Sequence, residues 1–379
     1  MNTLNNKQKI LLLSIIICIF NIFVFTISFY YLFSNNNKDI ITYKDEIFNI
    51  SFNKKIYYVG INETIDININ NPDNINYSLI TDNSNLISID GNKITGLKSG
   101  KTNLVIVLPN SKVITSIIYI VKGLVASPQE FNYNKPYLSC NYFSNDENKL
   151  IDNTLKDRIN DVGYKTRAAV IEAARFLTLN FDFRIHYFYE NGRLNNFSGK
   201  EYVDGEGRYY HKGLFLSESK FDSLVASLYG PTSWGCPLTN ITKAHGYGYY
   251  VGKKYPNGLD CSGFVSWALY NAGFDVKDTG AGDSPRNDDL YDLGEKNIIT
   301  DELLNSKKVK VGDLIAYNGH MAIIVGIDKE HYYVSETLPG LKGLVTKKYT
   351  KEKLKNTFTH IMLMDSVYKK DGNLTNMWY

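Results

Sequence analysis

The sequence predicts three parts in order: a membrane-spanning helix, an all-β sandwich and a C-terminal α+β unit in which a helix packs on an antiparallel sheet. Three observations predict this. Residues 10–33 form an apolar run, residues 41–123 form short alternating segments broken by Asn, Asp and Gly, and the last third places a glycine-bounded helix ahead of consecutive hairpins. A chain of 379 residues is long enough to bury two or three cores. Apolar residues make up 44% and charged residues 21%, an ordinary globular balance. The net charge of +3 is small, and no basic run is interleaved with aromatics, which argues against nucleic acid as a partner.

Between Ile10 and Phe33 only Ser14, Asn21, Thr26 and Ser28 are not apolar, so a helix there crosses a hydrocarbon layer ~30 Å thick. Lys7 and Lys9 precede it and the first acidic residue is Asp39, which orients the tail 1–9 to the cytoplasm and the remaining chain outward. The expectation is a single-pass cell-membrane protein with an extracytoplasmic C-terminal part. The run is longer than the apolar region of a cleaved signal peptide, and no small-x-small pattern follows it. Cys18, in mid-span, reads as a small hydrophobe.

From 41 to 123, the segments Thr64–Asn70, Leu86–Ile89, Lys93–Leu97 and Thr102–Leu108 alternate apolar and polar residues between turn formers. The stretch from Tyr77 to Ile106 resembles the group 2 bacterial immunoglobulin-like domain, a module of surface proteins. It offers no clustered His, Cys or paired carboxylates, so the resemblance implies a spacer or adhesion module without chemistry of its own. Residues 124–153, rich in Asn, Pro and Ser, read as a linker into the unit 154–379. Within that unit, Ala169, Val170, Ala173, Phe176 and Leu177 recur at helical spacing, predicting a helix over Thr166–Leu179 with Arg and Glu on its other face. The aromatic residues of Phe181–Tyr210 read as core rather than as a sugar-stacking surface.

Gly258-Leu-Asp-Cys-Ser-Gly-Phe-Val-Ser-Trp-Ala-Leu-Tyr-Asn-Ala-Gly273 predicts a turn, a helix with Phe264, Val265, Ala268 and Leu269 on its apolar face, and a glycine stop. Asp260 caps that helix and places Cys261 at its N-terminus, where unpaired N–H groups and the helix dipole favour a thiolate. Among six histidines, His320 stands out. Asn318-Gly319 predicts a hairpin joining Leu314–Tyr317 to His320–Ile327, and a second turn at Asp328 leads into His331–Glu336. A hairpin centred on Asp328 makes His320 and Glu336 direct cross-strand neighbours, so Glu336 orients the imidazole. A thiol, a base and a carboxylate in that relation form the logic of nucleophilic acyl transfer.

These residues resemble the NlpC-type family of papain-like cell-wall peptidases, over a motif core of residues 240–366. The family pattern is met by Tyr249, Gly252, Pro256-Asn-Gly258 and Asp260-Cys-Ser-Gly-Phe264, then by Gly312-Asp-Leu314 and Gly319-His320. The resemblance implies a papain-like fold, Cys261 and His320 as catalytic residues, and an oxyanion held by Tyr249 with the backbone N–H of Ser262. It also implies peptidoglycan stem peptides as substrate, cleaved by an endopeptidase near D-Glu and diaminopimelate, with no cofactor or metal. The family's third position is commonly His, Asn or Gln. Glu336 there looks like the related CHAP amidases, which keeps an N-acetylmuramoyl-L-alanine amidase as an alternative. A non-catalytic adhesion or wall-binding protein is a further one.

The four cysteines, at 18, 140, 236 and 261, show no metal-binding spacing. Cys236 and Cys140 are either paired in an oxidising exterior or separately buried. His245 reads as an exposed turn residue, and His186, His211, His331 and His360 as surface residues.

Overall fold

Alternation of apolar and polar residues builds the first nine strands: β1 (Ser51–Phe52), β2 (Ile56–Val59), β3 (Thr64–Asp66), β4 (Ile69–Asn70), β5 (Ser78–Thr81), β6 (Ile87–Asp90), β7 (Lys93–Gly96), β8 (Gly100–Val107) and β9 (Val113–Ile120). One sheet runs β2-β9-β8-β5 and a second runs β3-β7-β6. Their inner faces share a core that includes Val59, Ile94, Leu104, Ile118 and Ile120. The expected single strand over Thr64–Asn70 is divided, because β3 pairs with β7 whereas β4 pairs with β1. Ile67, 1% exposed, fills the core at that change of partner.

The computed structural model describes residues 48–126, 135–188, 234–239, 250, 253–274, 276, 280–281, 290–339 and 343–374. The expected tail 1–9, the span 10–33 with Cys18, and Tyr249, Gly252, His211 and His245 lie outside these residues. Among the described residues no helix is long and apolar enough to cross a membrane. Residues Ile50–Tyr379 form one compact unit.

The stretch 124–153, read as a linker, becomes helical at Asn145. Helix α1 (Asn145–Val162) opens with a capping box in which Glu147 N–H donates to Ser144 Oγ at 3.3 Å and Ser144 N–H donates to Glu147 Oε2 at 2.8 Å. Ile151, Leu155 and Ile159, four residues apart, make its buried stripe. That stripe joins a cluster containing Tyr119, Val121 and Leu124 at the end of β9, so the sandwich is seated on α1 by shared apolar burial. Polar contacts fix the seat: the Tyr119 hydroxyl donates to the Asp157 carboxylate, and the Arg158 guanidinium lies 4.1 Å from the centre of the Tyr58 ring.

Helix α2 (Arg167–Arg175) is capped by Thr166 and widens into a π turn over Phe176–Asn180. Its apolar positions are buried as expected, but Arg167 is not on a solvent face. It is 3% exposed, and its guanidinium meets Asp313 at 2.8 Å, Asp365 at 2.5 Å and Asp371 at 3.2 Å. Three carboxylates and the Val311 carbonyl, at 3.0 Å, take four of its five N–H donors and permit that burial. Of the aromatic stretch 181–210, residues up to 188 are described, and Phe181, Ile185 and Phe188 are core.

The strands β10 (Pro237–Thr239) and β11 (Lys254–Pro256) form a small antiparallel pair that feeds helix α3 (Cys261–Asn271). A six-stranded sheet follows, built from β12 (Glu295–Ile298), β13 (Leu314–Tyr317), β14 (His320–Ile327), β15 (His331–Leu338), β16 (Gly343–Thr350) and β17 (His360–Leu363), in the order β12-β17-β13-β14-β15-β16. The three expected strands are its centre. Helices α1, α2 and α3 share one core with Leu314, Met321 and Ile323. The short helices α4 (Asp301–Asn305) and α5 (Lys351–Thr357) close the other face over Ile315, Ile324 and Tyr349. A last helical turn, α6 (Asp365–Tyr368), supports the Arg167 cluster.

Candidate active site

Cys261 is the first residue of α3. Asp260 before it is extended, and its carboxylate accepts the Gly263 N–H at 2.8 Å and the Ser262 hydroxyl at 3.1 Å. The cap thus turns onto the first helical turn. The apolar side of α3 (Phe264, Val265, Ala268, Leu269) is fully buried, each large side chain contributing about 2 kcal/mol to the anchoring of the helix. The Cys261 thiol is 8% exposed and donates toward the Gly319 carbonyl at 3.8 Å. This weak contact places the sulfur at the turn immediately before His320. The backbone N–H groups of Cys261 and Ser262 lie in the first turn, where no intrahelical acceptor exists, at the positive end of the helix.

His320 opens β14, paired with Tyr317 across the two-residue Asn318–Gly319 turn. Its ring is fully buried, flanked by Tyr317 at 4.8 Å and Phe358 at 6.0 Å between ring centres. Nε2 lies 2.9 Å from Glu336 Oε2. Nδ1 is buried and makes no hydrogen bond among the described residues. An ionised carboxylate only accepts, so Nε2 carries the shared hydrogen and, in the neutral ring, Nδ1 keeps its lone pair.

Glu336 is 1% exposed. Its other oxygen, Oε1, accepts the Tyr349 hydroxyl at 2.6 Å and lies 3.3 Å from Lys347 Nζ. Burial pushes its pKa up, but the His320 hydrogen bond, the Lys347 charge and the Tyr349 hydroxyl outweigh burial and hold it below the usual 4.5. Lys347 also lies over the Tyr349 ring, 4.9 Å from its centre.

The register differs from the expected one. The chain does not fold symmetrically about Asp328: the turn is centred between Lys329 and Glu330, with Ile327 facing Tyr332 and Gly326 facing Tyr333, and a bulge between Ile324 and Gly326 then sets Ile323 opposite Ser335. Continued one step, this register sets Ala322 opposite Glu336, so His320 and Glu336 are diagonal neighbours on one face. Diagonal partners lie farther apart than direct ones, and the length of the Glu and His side chains closes the gap. His331 faces away from the pair and contacts Asp328 at 3.3 Å.

Ser262 is 3% exposed, with its side chain held by Asp260, so its backbone N–H is the part available to a ligand. Cys140 and Cys236 form a disulfide. His186 is not a free surface residue: it stacks on Tyr137 at 4.0 Å, and burial together with the nearby Arg184 charge lowers its pKa to about 4. Its backbone pairs with Gly258, three residues before Cys261. Tyr349 and Lys347 went unread in the sequence. The available signal was the alternation of Val345, Lys347 and Tyr349 along β16, which puts all three on one face.

The NlpC/P60 family model matches residues 246–361, a span containing Cys261, His320 and Glu336. This match supports a cell-wall hydrolase domain of cysteine-peptidase type. No curated protein matches the chain. Among solved structures, an intimin mutant from EHEC O157:H7 aligns at 12% identity and a TM-score of 0.16, covering 29% of this chain and 57% of that one.

Proposed function

We propose that this chain is an extracytoplasmic cell-wall hydrolase that cleaves an amide bond in peptidoglycan stem peptides, with Cys261 as nucleophile, His320 as base and Glu336 as its orienting carboxylate. The observation that carries this reading is the His320 ring, tied to Glu336 through Nε2 and without a hydrogen bond at Nδ1 among the described residues, while the Cys261 sulfur, at a helix N-terminus, lies 3.8 Å from the carbonyl of Gly319 just before His320. Nδ1 takes the Cys261 proton, and the thiolate attacks the amide carbonyl. The first-turn N–H groups of α3, with Tyr249, receive the oxyanion. The imidazolium then protonates the departing amine and the C–N bond breaks. Water, deprotonated by the same Nδ1, releases the acyl group and restores the thiol.

An endopeptidase acting near D-Glu and diaminopimelate is the favoured specificity. Glu336 in the third position favours, as a second reading, the amide between muramic acid and L-alanine. The β-sandwich over residues 51–120 serves as a bacterial immunoglobulin-like platform, and residues 10–33 as the membrane anchor. The Cys140–Cys236 bridge supports an oxidising exterior for this part of the chain.

The test is digestion of purified peptidoglycan by the full chain and by a Cys261→Ala variant, with mass spectrometry of the soluble products. Stem-peptide fragments released by the unaltered chain alone support the proposal, and their masses name the bond. Equal release by both, or by neither, refutes it.

A further inference from the structure

The segment leading into Cys261 is held from two sides by backbone hydrogen bonds. On one side, Asn257 N–H donates to Cys236 O at 2.8 Å and Gly235 N–H donates to Asn257 O at 2.9 Å. On the other, Leu259 N–H donates to His186 O at 3.0 Å. The His186 strand is held in turn by the 136–140 segment, through Arg184 N–H to Pro136 O at 2.8 Å and Leu138 N–H to Arg184 O at 3.2 Å. The four segments therefore form a ring, and the Cys140–Cys236 disulfide is the covalent link that closes it.

Close backbone approach at two points shows how tightly the ring is drawn. A side chain at Gly235 would begin 2.0 Å from the Leu138 carbonyl oxygen, and one at Gly258 would begin 1.9 Å from the His186 carbonyl oxygen. Only glycine fits either position. Trp234, beside the bridge, packs on Trp267 of α3 with ring centres 5.7 Å apart, so the same segment also braces the helix that carries the thiol.

We propose that Cys140 and Cys236 are positioning residues: their bridge clamps residues 254–260, fixing where α3 begins and hence where the Cys261 sulfur sits relative to His320. Opening the bridge then lowers activity while Cys261 itself stays a thiol. A dithiol reductant opens it by attack of one thiolate on a bridge sulfur, giving a mixed disulfide. The second thiol displaces the remaining cysteine, so that Cys140 and Cys236 take up two electrons and two protons and the reductant closes to a cyclic disulfide. The protein therefore works in a redox window, with one thiol reduced and one bridge kept oxidised.

The test compares the full chain as isolated, the same chain after dithiothreitol, and a Cys140→Ser/Cys236→Ser double variant, with Cys261 confirmed as a thiol by mass in each. The first readout, backbone hydrogen exchange, requires no activity. Protection of residues 254–260 is expected to fall at least about tenfold in both opened forms while β14 and β15 stay protected. The second readout, which rests on the proposed peptidase reading, is a kcat lowered about tenfold or more with KM changed less than about twofold, since a misplaced nucleophile costs chemistry rather than binding. Reoxidation restores the wild-type chain and leaves the double variant unchanged. Unchanged protection at 254–260, unchanged kcat in an opened chain, or loss of protection throughout β14 and β15 would each overturn the proposal. Lost protection at 254–260 in a chain that never digests peptidoglycan supports the clamp and refutes the peptidase reading instead.

Discussion

The His320 imidazole and the Glu336 carboxylate meet at 2.9 Å along a diagonal of the sheet, not across a rung. Removing the carboxylate strands a fully buried ring. Glu336→Ala is expected to lower kcat about ten-thousandfold, since an unoriented base loses both tautomer and position. Glu336→Gln should fall less, because an amide oxygen still accepts the Nε2 hydrogen. Steady-state release of stem peptides distinguishes the two, and equal losses would count against an orienting role.

His320, Lys347 and Tyr349 together keep Glu336 ionised, and this has a signed consequence for stability. A carboxyl whose folded pKa lies below its unfolded value of 4.5 stabilises the fold above that value, and the contribution is lost as pH falls through the folded pKa. Tyr349→Phe removes one hydrogen bond to the carboxylate, worth about 1–3 kcal/mol, and raises the folded pKa. Acid destabilisation should then begin at higher pH than in the wild type. Urea unfolding between pH 3 and 7, repeated on Glu336→Gln, checks this, because the Gln background must abolish the difference.

Asp260 contributes locally, through the cap of α3. Asp260→Ala should cost about 1 kcal/mol and Asp260→Asn only a few tenths, as seen by thermal melting. An alanine variant as stable as the wild type would show that the cap is not needed to start this helix.

Lys135 presents the opposite titration. It is 8% exposed, its ammonium donates to the Phe181 carbonyl at 2.8 Å, and burial lowers its pKa from 10.5 to about 8. Between these values the unfolded chain holds more protons than the folded one, so stability rises with pH across that window. The wild type should gain about 3 kcal/mol over that range relative to Lys135→Met, whose side chain does not titrate. Parallel urea curves at both ends of the range would contradict this.

What the sequence disclosed depended on the range of the signal. The start of α3 and the Asn318–Gly319 hairpin were legible because Asp260, Gly273 and the Asn-Gly pair act on their immediate neighbours. Glu336 is reached through an incorrect register, since the turn is centred between Lys329 and Glu330 rather than on Asp328, the bulge beside Val325 leaves no mark in composition, and the side chains absorb the remaining offset. Helix α1 was concealed by its Asn, Asp and Lys content, its apolar stripe reduced to Ile151, Leu155 and Ile159. Contacts between distant residues, such as Arg167 with Asp313 and Cys140 with Cys236, follow from tertiary packing and have no local signature.

Activation of Cys261 by His320 is read out by the rate of Cys261 alkylation by iodoacetamide as a function of pH in the wild type and in His320→Ala. Rapid alkylation of the wild type is expected well below the ordinary thiol pKa of about 8.5, with the His320→Ala profile displaced upward toward that value. Superimposable profiles would contradict it.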